Sequence, residues 1–297
     1  MKPSYLRLYE SGELKERVER AKNMLRSCDV CPHECGVNRL VGELGYCKTG
    51  SKAIVSSSFP HLGEEFPIRG FRGSGTIFFS YCNMRCVYCQ NYEISHFGEG
   101  REVDGEELAG MMLGLQSLGV HNINLVSPSH VVPQILEAIY IAAGMGLRIP
   151  IVYNTSSFDS IKSLRLLDGV VDIYLADLKY LRDEFGRKYS RVKGYAERAK
   201  EAIREMYRQV GNLRTDERGI AVRGLLIRHL VLPNDVSTTR EVFAFLRSID
   251  PRLAVNVMDQ YFPFHKARDY PELARRITPD EYERALREAR GFTLIDR

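Results

Sequence analysis

The sequence predicts an α/β fold, a partial (β/α)6 TIM-like barrel carrying a Cys-rich N-terminal extension. Three observations predict it. From residue 75 onward, short apolar runs alternate with longer segments of helical period, the signature of βα units that feed a parallel sheet. Six such units can be read, two short of a closed eight-fold barrel. The pattern therefore allows a partial barrel or an open doubly wound sheet, and in both the functional residues gather beyond the C-terminal strand ends. Third, all seven cysteines lie at or before Cys89 in a chain of 297 residues.

In order, residues 1–70 form the extension. It has one polar helix near Leu14 to Arg26, a Cys- and Gly-dense segment from Cys28 to Gly50, and a Pro- and Gly-rich stretch from Phe59 to Gly75. It reads as an irregular segment needing a metal staple. Residues 71–297 form the core. Its strands are expected at Thr76 to Ser80, Asn122 to Val126, Ile149 to Tyr153, Val171 to Ala176, Gly224 to Leu232 and Leu253 to Met258. Helices are expected near 105–118, 131–144, 159–167, 195–210 and 238–248, with a last one opened by Thr278-Pro279-Asp280.

Bulk properties exclude several classes. With 44% hydrophobic and 27% charged residues the chain is neither disordered nor fibrous. A net charge of +4, interspersed along helices, predicts no nucleic-acid surface. The first residues lack an apolar run suited to a signal peptide, and no run reaches a membrane span, so a cytoplasmic protein is expected. An odd cysteine count crowded into one third of the chain favours metal or cluster ligation over disulfides.

The set Cys82-x3-Cys86-x2-Cys89 sits in one loop directly after the first core strand. Four irons in a cubane need four terminal ligands, so three thiolates leave one iron free for a ligand. That spacing, with Tyr88 just before the last Cys, resembles the radical S-adenosylmethionine (SAM) superfamily. The resemblance implies a 4Fe-4S cluster on Cys82, Cys86 and Cys89, reductive cleavage of SAM, and a 5′-deoxyadenosyl radical that abstracts hydrogen. The fold it implies is the partial barrel of the radical SAM type.

Polar residues at successive strand ends extend the resemblance. Asn124 and Ser127 stand where many members of the superfamily carry a Gly-Gly-Glu-Pro stretch, and Thr155, Asp177 and Lys179 resemble segments of the pyruvate formate-lyase activating enzyme. The resemblance implies that these five, with Tyr88, surround SAM. Asn154 departs from that pattern by replacing an Asp. His229, on a hydrophobic strand, reads as a satisfied core histidine. The segment from Asp259 to Lys266 reads equally as a barrel lid or as a contact for adenine or substrate. The opening from Cys31 to Arg39, the run from Gln90 to Ser95 and the Ser127 to His130 turn are similar to an uncharacterised prokaryotic group related to that activating enzyme.

Upstream, Cys28-x2-Cys31-x3-Cys35-x11-Cys47 is a second thiol set. Four closely placed thiolates suit tetrahedral zinc or a fully ligated Fe-S cluster, and spacing does not separate the two. His33 lies among them as a bystander. By resemblance, the expected partners are an electron donor such as ferredoxin or flavodoxin and a glycyl-radical enzyme. The alternatives are modification of a small molecule, peptide or RNA, or an Fe-S electron carrier without catalysis.

Overall fold

The computed structural model describes residues 2–296. Its frame is a run of parallel strands: β2 (Ser74–Phe79), β4 (Ile123–Val126), β5 (Ile151–Thr155), β6 (Ile173–Asp177), β8 (Ala221–Leu230), β9 (Ala254–Met258) and the short β10 (Thr293–Leu294). The first six are the strands expected from sequence, with ends displaced by up to three residues. Two antiparallel strands, β1 (Ala53–His61) and β3 (Arg101–Val103), extend the β2 edge, and β7 (Arg214–Thr215) pairs off the path with β8. The spatial order β10-β9-β8-β6-β5-β4-β2-β1-β3 is open, so the fold is a partial barrel.

Helices α4 (Gly105–Ser117), α5 (Val132–Gly144), α6 (Ile161–Leu166), α8 (Tyr195–Val210) and α9 (Thr239–Ile249) lie between the parallel strands. Period-2 alternation sorts each strand into two faces. Tyr153, Tyr174, Ala176, Leu225, Ile227, Val255 and Val257 join the large core shared with the helices. Val152, Ile173, Leu175, Leu226 and Ala254 form a separate inner cluster.

The extension is more ordered than its composition suggests. α1 (Tyr5–Glu10) precedes the polar helix, now α2 (Glu13–Asn23), and both pack on α5, burying Tyr5, Leu6, Leu14 and Ala21 in the main core. The Pro- and Gly-rich stretch contributes β1 and then α3 (Phe66–Arg69), whose Ile68 plugs the inner cluster. Pro67 in the first turn of α3 costs nothing, because that N–H has no helical partner. The plug is tied to the chain end, where the Phe66 amide donates to the Asp296 carboxylate at 2.9 Å.

The last helix, α10 (Pro279–Glu288), opens with a capping box between Thr278 and Glu281. Glu281 is buried, accepts from the Thr278 and Asn234 amides at 2.8 Å each, and pairs with Arg275 at 2.8 Å. The Arg275 hydrogen bonds hold its carboxyl down at about 2 from 4.5. A depressed carboxyl stabilises the fold above its unfolded value and loses that contribution as pH falls toward the folded one. Thermal melts of wild type and Glu281→Gln should therefore differ at pH 6 and converge between about pH 4 and 2; a constant difference would refute this.

Candidate active site

The triad loop is pinned on three sides. Arg85 and Val87 donate their amides to the Ser190 and Tyr189 carbonyls at 3.0 and 2.8 Å, at the C-terminal end of α7 (Asp183–Tyr189). Asn83 Nδ2 donates to the Phe158 carbonyl at 2.6 Å, and the Val87 carbonyl accepts from the Lys266 amide at 2.9 Å. Cys82 Sγ accepts the Met84 amide at 3.4 Å, Cys86 Sγ lies 3.1 Å from Ser190 Oγ, and Cys89 Sγ lies 3.1 Å from Ser95 Oγ. Ser95 stands on a single π-helical turn, Glu93–Phe97. Gly98 closes that turn at φ +76°, where a Cβ would stand 2.2 Å from the Tyr81 ring.

All three thiols are free. Burial is the largest influence on each, pushing Cys82 up to about 12 and Cys86 up to about 11, and raising Cys89. Lys179 opposes this at all three. A cation facing three thiols that repel one another as thiolates suits an anionic cluster. Among the described residues, no three His, Cys, Asp or Glu side chains converge on one ion. A cubane has no need of that, because it takes each sulfur on a different iron.

A cleft of about 210 Å³ joins the triad to the strand ends, lined by Ser127, Asn154, Thr155, Asp177, Lys179 and Arg228 together with Tyr88. Asp177 ends β6 and accepts from Lys179 Nζ at 3.0 Å and Arg228 Nε at 2.8 Å. Its burial alone would raise the carboxyl, but Arg228 and then Lys179 overcome it and hold the group below the usual carboxylate range. Ser127 adopts φ +58°, a strained conformation of the kind found at functional sites.

Of the expected SAM contacts, Thr155 lines the cleft with its hydroxyl already engaged, and Asn124 lies outside the lining. The Thr155 hydroxyl is spent inside the wall, donating to Asp159 at 2.5 Å and accepting the Ser157 amide at 3.1 Å. Asn124 is fully buried and absent from the cleft lining, because β4 continues two residues past it; its Nδ2 donates to Glu64 at 3.0 Å. His229 is the core histidine expected, with its ring nitrogens 2.8 Å from the Leu178 carbonyl and 3.0 Å from Thr239 Oγ1. The segment from Asp259 to Lys266 meets the triad side through Tyr261 against Tyr88 and His265 stacked on Tyr92.

Sequence reasoning missed Glu64 and Glu65. Glu64 accepts from Arg228 at 3.2 Å and also from Asn154 at 3.3 Å, while Glu65 accepts from Asn256 at 2.9 Å. Arg228 thus joins Asp177, Asn154 and Glu64 in one layer above the Ile68 plug. Burial raises the Glu65 carboxyl.

An uncharacterised protein of Methanocaldococcus jannaschii is 34% identical over 286 residues, covering 94% of this chain and 78% of its own length. Among solved structures, methylornithine synthase matches with a TM-score of 0.49 at 18% identity, over 73% of this chain and 61% of its own. Streptococcus suis SuiB bound to S-adenosylmethionine matches with a TM-score of 0.44 at 15% identity, over 72% and 44%. The chain thus spans less than two thirds of either solved chain. No helix among the described residues is long and apolar enough to cross a membrane. The model of the radical SAM superfamily matches residues 76–217, from β2 and the triad it presents through the strand ends that face it, and the chain belongs to that superfamily, whose members use a 4Fe-4S cluster and SAM.

Proposed function

We propose that this chain cleaves SAM reductively and directs the resulting radical at a C–H bond of a glycyl-radical enzyme. The observation that carries the chemistry is the single cleft shared by three free thiols and the Asp177, Lys179 and Arg228 charges. Bound there, a 4Fe-4S cluster and SAM supply carbon–sulfur cleavage and hydrogen abstraction. Cys82, Cys86 and Cys89 would hold the cluster and leave one iron open. Asp177 and the two cations present both signs of charge, which suits the ammonium and carboxylate of a zwitterionic amino-acid group. An electron donor of the ferredoxin or flavodoxin class completes the scheme.

A protein substrate is favoured by the rim, where Phe97, Phe262 and Phe264 leave 64%, 36% and 36% of their surfaces exposed beside His265. Exposed aromatics of this kind suit a protein loop entering the cleft. A second reading, a small cationic substrate, is favoured by a polar cavity of about 200 Å³ beyond Arg228, lined by Glu64, Glu65, Asn256 and Asp259. The test is anaerobic reconstitution with iron and sulfide, reduction with dithionite, and assay of 5′-deoxyadenosine from SAM. Product above the level without protein is expected. A protein that assembles the cluster yet neither binds nor cleaves SAM would be an electron carrier instead.

A further inference from the structure

Arg39 is the most deeply buried charge of the extension, 1% exposed, and it makes no ion pair with a carboxylate among the described residues. Its Nε donates to the Gly50 carbonyl at 2.9 Å and Nη1 to the His130 carbonyl at 2.9 Å, while Nη2 is buried with no partner. Carbonyl dipoles satisfy hydrogen bonds but do not neutralise a charge. A guanidinium cannot shed its proton, and a buried charge left uncompensated costs several kcal/mol. Arg39 needs an anion. The nearest candidate is Cys28, whose Sγ lies 3.9 Å from Nη1.

Cys28 belongs to a built set. Cys31 and Cys35 flank one turn, closed by the Glu34 amide on the Cys31 carbonyl at 3.0 Å, and Cys31 feels the charges of Cys28, Cys35 and Cys47. The strand-like bonds Cys28 N to Val37 O and Gly36 N to Cys28 O, at 2.9 and 3.0 Å, fold the segment back on itself. The return loop then presses against Cys35: Tyr46 N donates to its Sγ at 3.5 Å, and a Cβ on Gly45 would stand 2.7 Å from that sulfur.

We infer that Cys28, Cys31, Cys35 and Cys47 bind a tetrathiolate metal centre of net charge −2, with Arg39 as its buried counter-ion. The charge is the same for either occupant. Four thiols release four protons, and four thiolates around Zn²⁺ or around a [4Fe-4S]²⁺ core sum to −2. Because no three His, Cys, Asp or Glu side chains of the described residues converge on one ion, the set as it stands fits a cubane, which holds its sulfurs apart on separate irons; zinc would require the sulfurs to close to about 3.8 Å from one another, given Zn–S bonds of about 2.3 Å. This centre would stand beside the triad: His33 stacks on Tyr46 with centroids 3.8 Å apart, and His33 Nε2 lies 2.7 Å from the Asn83 carbonyl, one residue from Cys82.

The test uses the full chain with Cys82, Cys86 and Cys89 replaced by Ala, so that the triad contributes no metal. Purified anaerobically and reconstituted, it should hold about one zinc, or about four irons with about four sulfides, per chain; the ratio identifies the occupant. Less than about a fifth of that content, with all four thiols open to a thiol reagent, would overturn the site. In the same background Arg39→Gln should release its metal to a chelator at least about tenfold faster, while Arg39→Lys, which keeps the charge, stays within about threefold. Release from Arg39→Gln at the unsubstituted rate would overturn the counter-ion role. Should that variant fail to fold, accelerated release from Arg39→Lys would do the same.

Discussion

Cys86→Ala is expected to form less than about one hundredth of the wild-type 5′-deoxyadenosine, a loss of more than about 2.7 kcal/mol in effective barrier. With Cys82 and Cys89 alone, two irons of a cubane would lack protein ligands, so the cluster itself should fail to assemble. The variant isolates that cause. Cys86 is 9% exposed and, among the polar side chains of the described residues, its sulfur hydrogen-bonds the Ser190 hydroxyl alone, so its removal leaves a small gap worth about 1 kcal/mol. Iron, sulfide and the low-temperature spectrum of the reduced protein should fall together with product while the thermal melt moves little. An intact cluster signal in this variant would mean that a different residue is the third ligand.

Arg228→Met should have the largest effect on stability. The guanidinium contacts Asp177 at 2.8 Å, Glu64 at 3.2 Å and Asn154 at 2.7 Å, with only 16% of its side chain exposed. Methionine matches its stem but strands two carboxylates. Removing one partner of a buried pair costs about 3–5 kcal/mol; Asp177 retains Lys179 and a quarter of its exposure, so the lower end, about 3 kcal/mol, applies. For a chain of this length that lowers Tm by about 5 °C. Adding Glu64→Gln should recover part of the loss, because only one carboxylate then lacks its countercharge. No recovery in a urea titration would show that packing of the stem, rather than charge, sets the cost. SAM cleavage should fall in Arg228→Met more than in Glu64→Gln, since Arg228 lines the cleft directly.

The core strands were legible because each carries enough apolar residues to mark its place whichever face is read. Even there, Asn124, expected beside SAM, lies inside β4 with its side chain donated to Glu64. Polar residues inside a barrel interrupt the apolar run just as a turn would, so sequence alone does not separate an inward Asn from a terminating one. Glu64 and Glu65 were invisible for a related reason. They lie in a Gly- and Pro-flanked loop with no period, and their partners Arg228 and Asn256 are 164 and 191 residues away. β1 was hidden by Pro60, which a sheet tolerates near the end of an outer strand. The three thiols of the candidate cluster site were the easiest to place together, since one loop supplies all of them. By contrast, the bond that spends the Thr155 hydroxyl on Asp159 depends on a turn that composition does not reveal.

The cysteines lie early in the chain and the groups that cover them lie late. Ser190, which caps Cys86, leaves the ribosome 104 residues after it, and His130, whose carbonyl holds Arg39, follows Cys28 by 102. At about 5–20 residues per second, each thiol set spends about 5–20 s uncovered on a nascent chain that cannot yet close around it. Oxidation or capture of a wrong ion therefore competes with folding at every round of synthesis, and the yield of loaded protein should depend on translation speed as much as on iron supply.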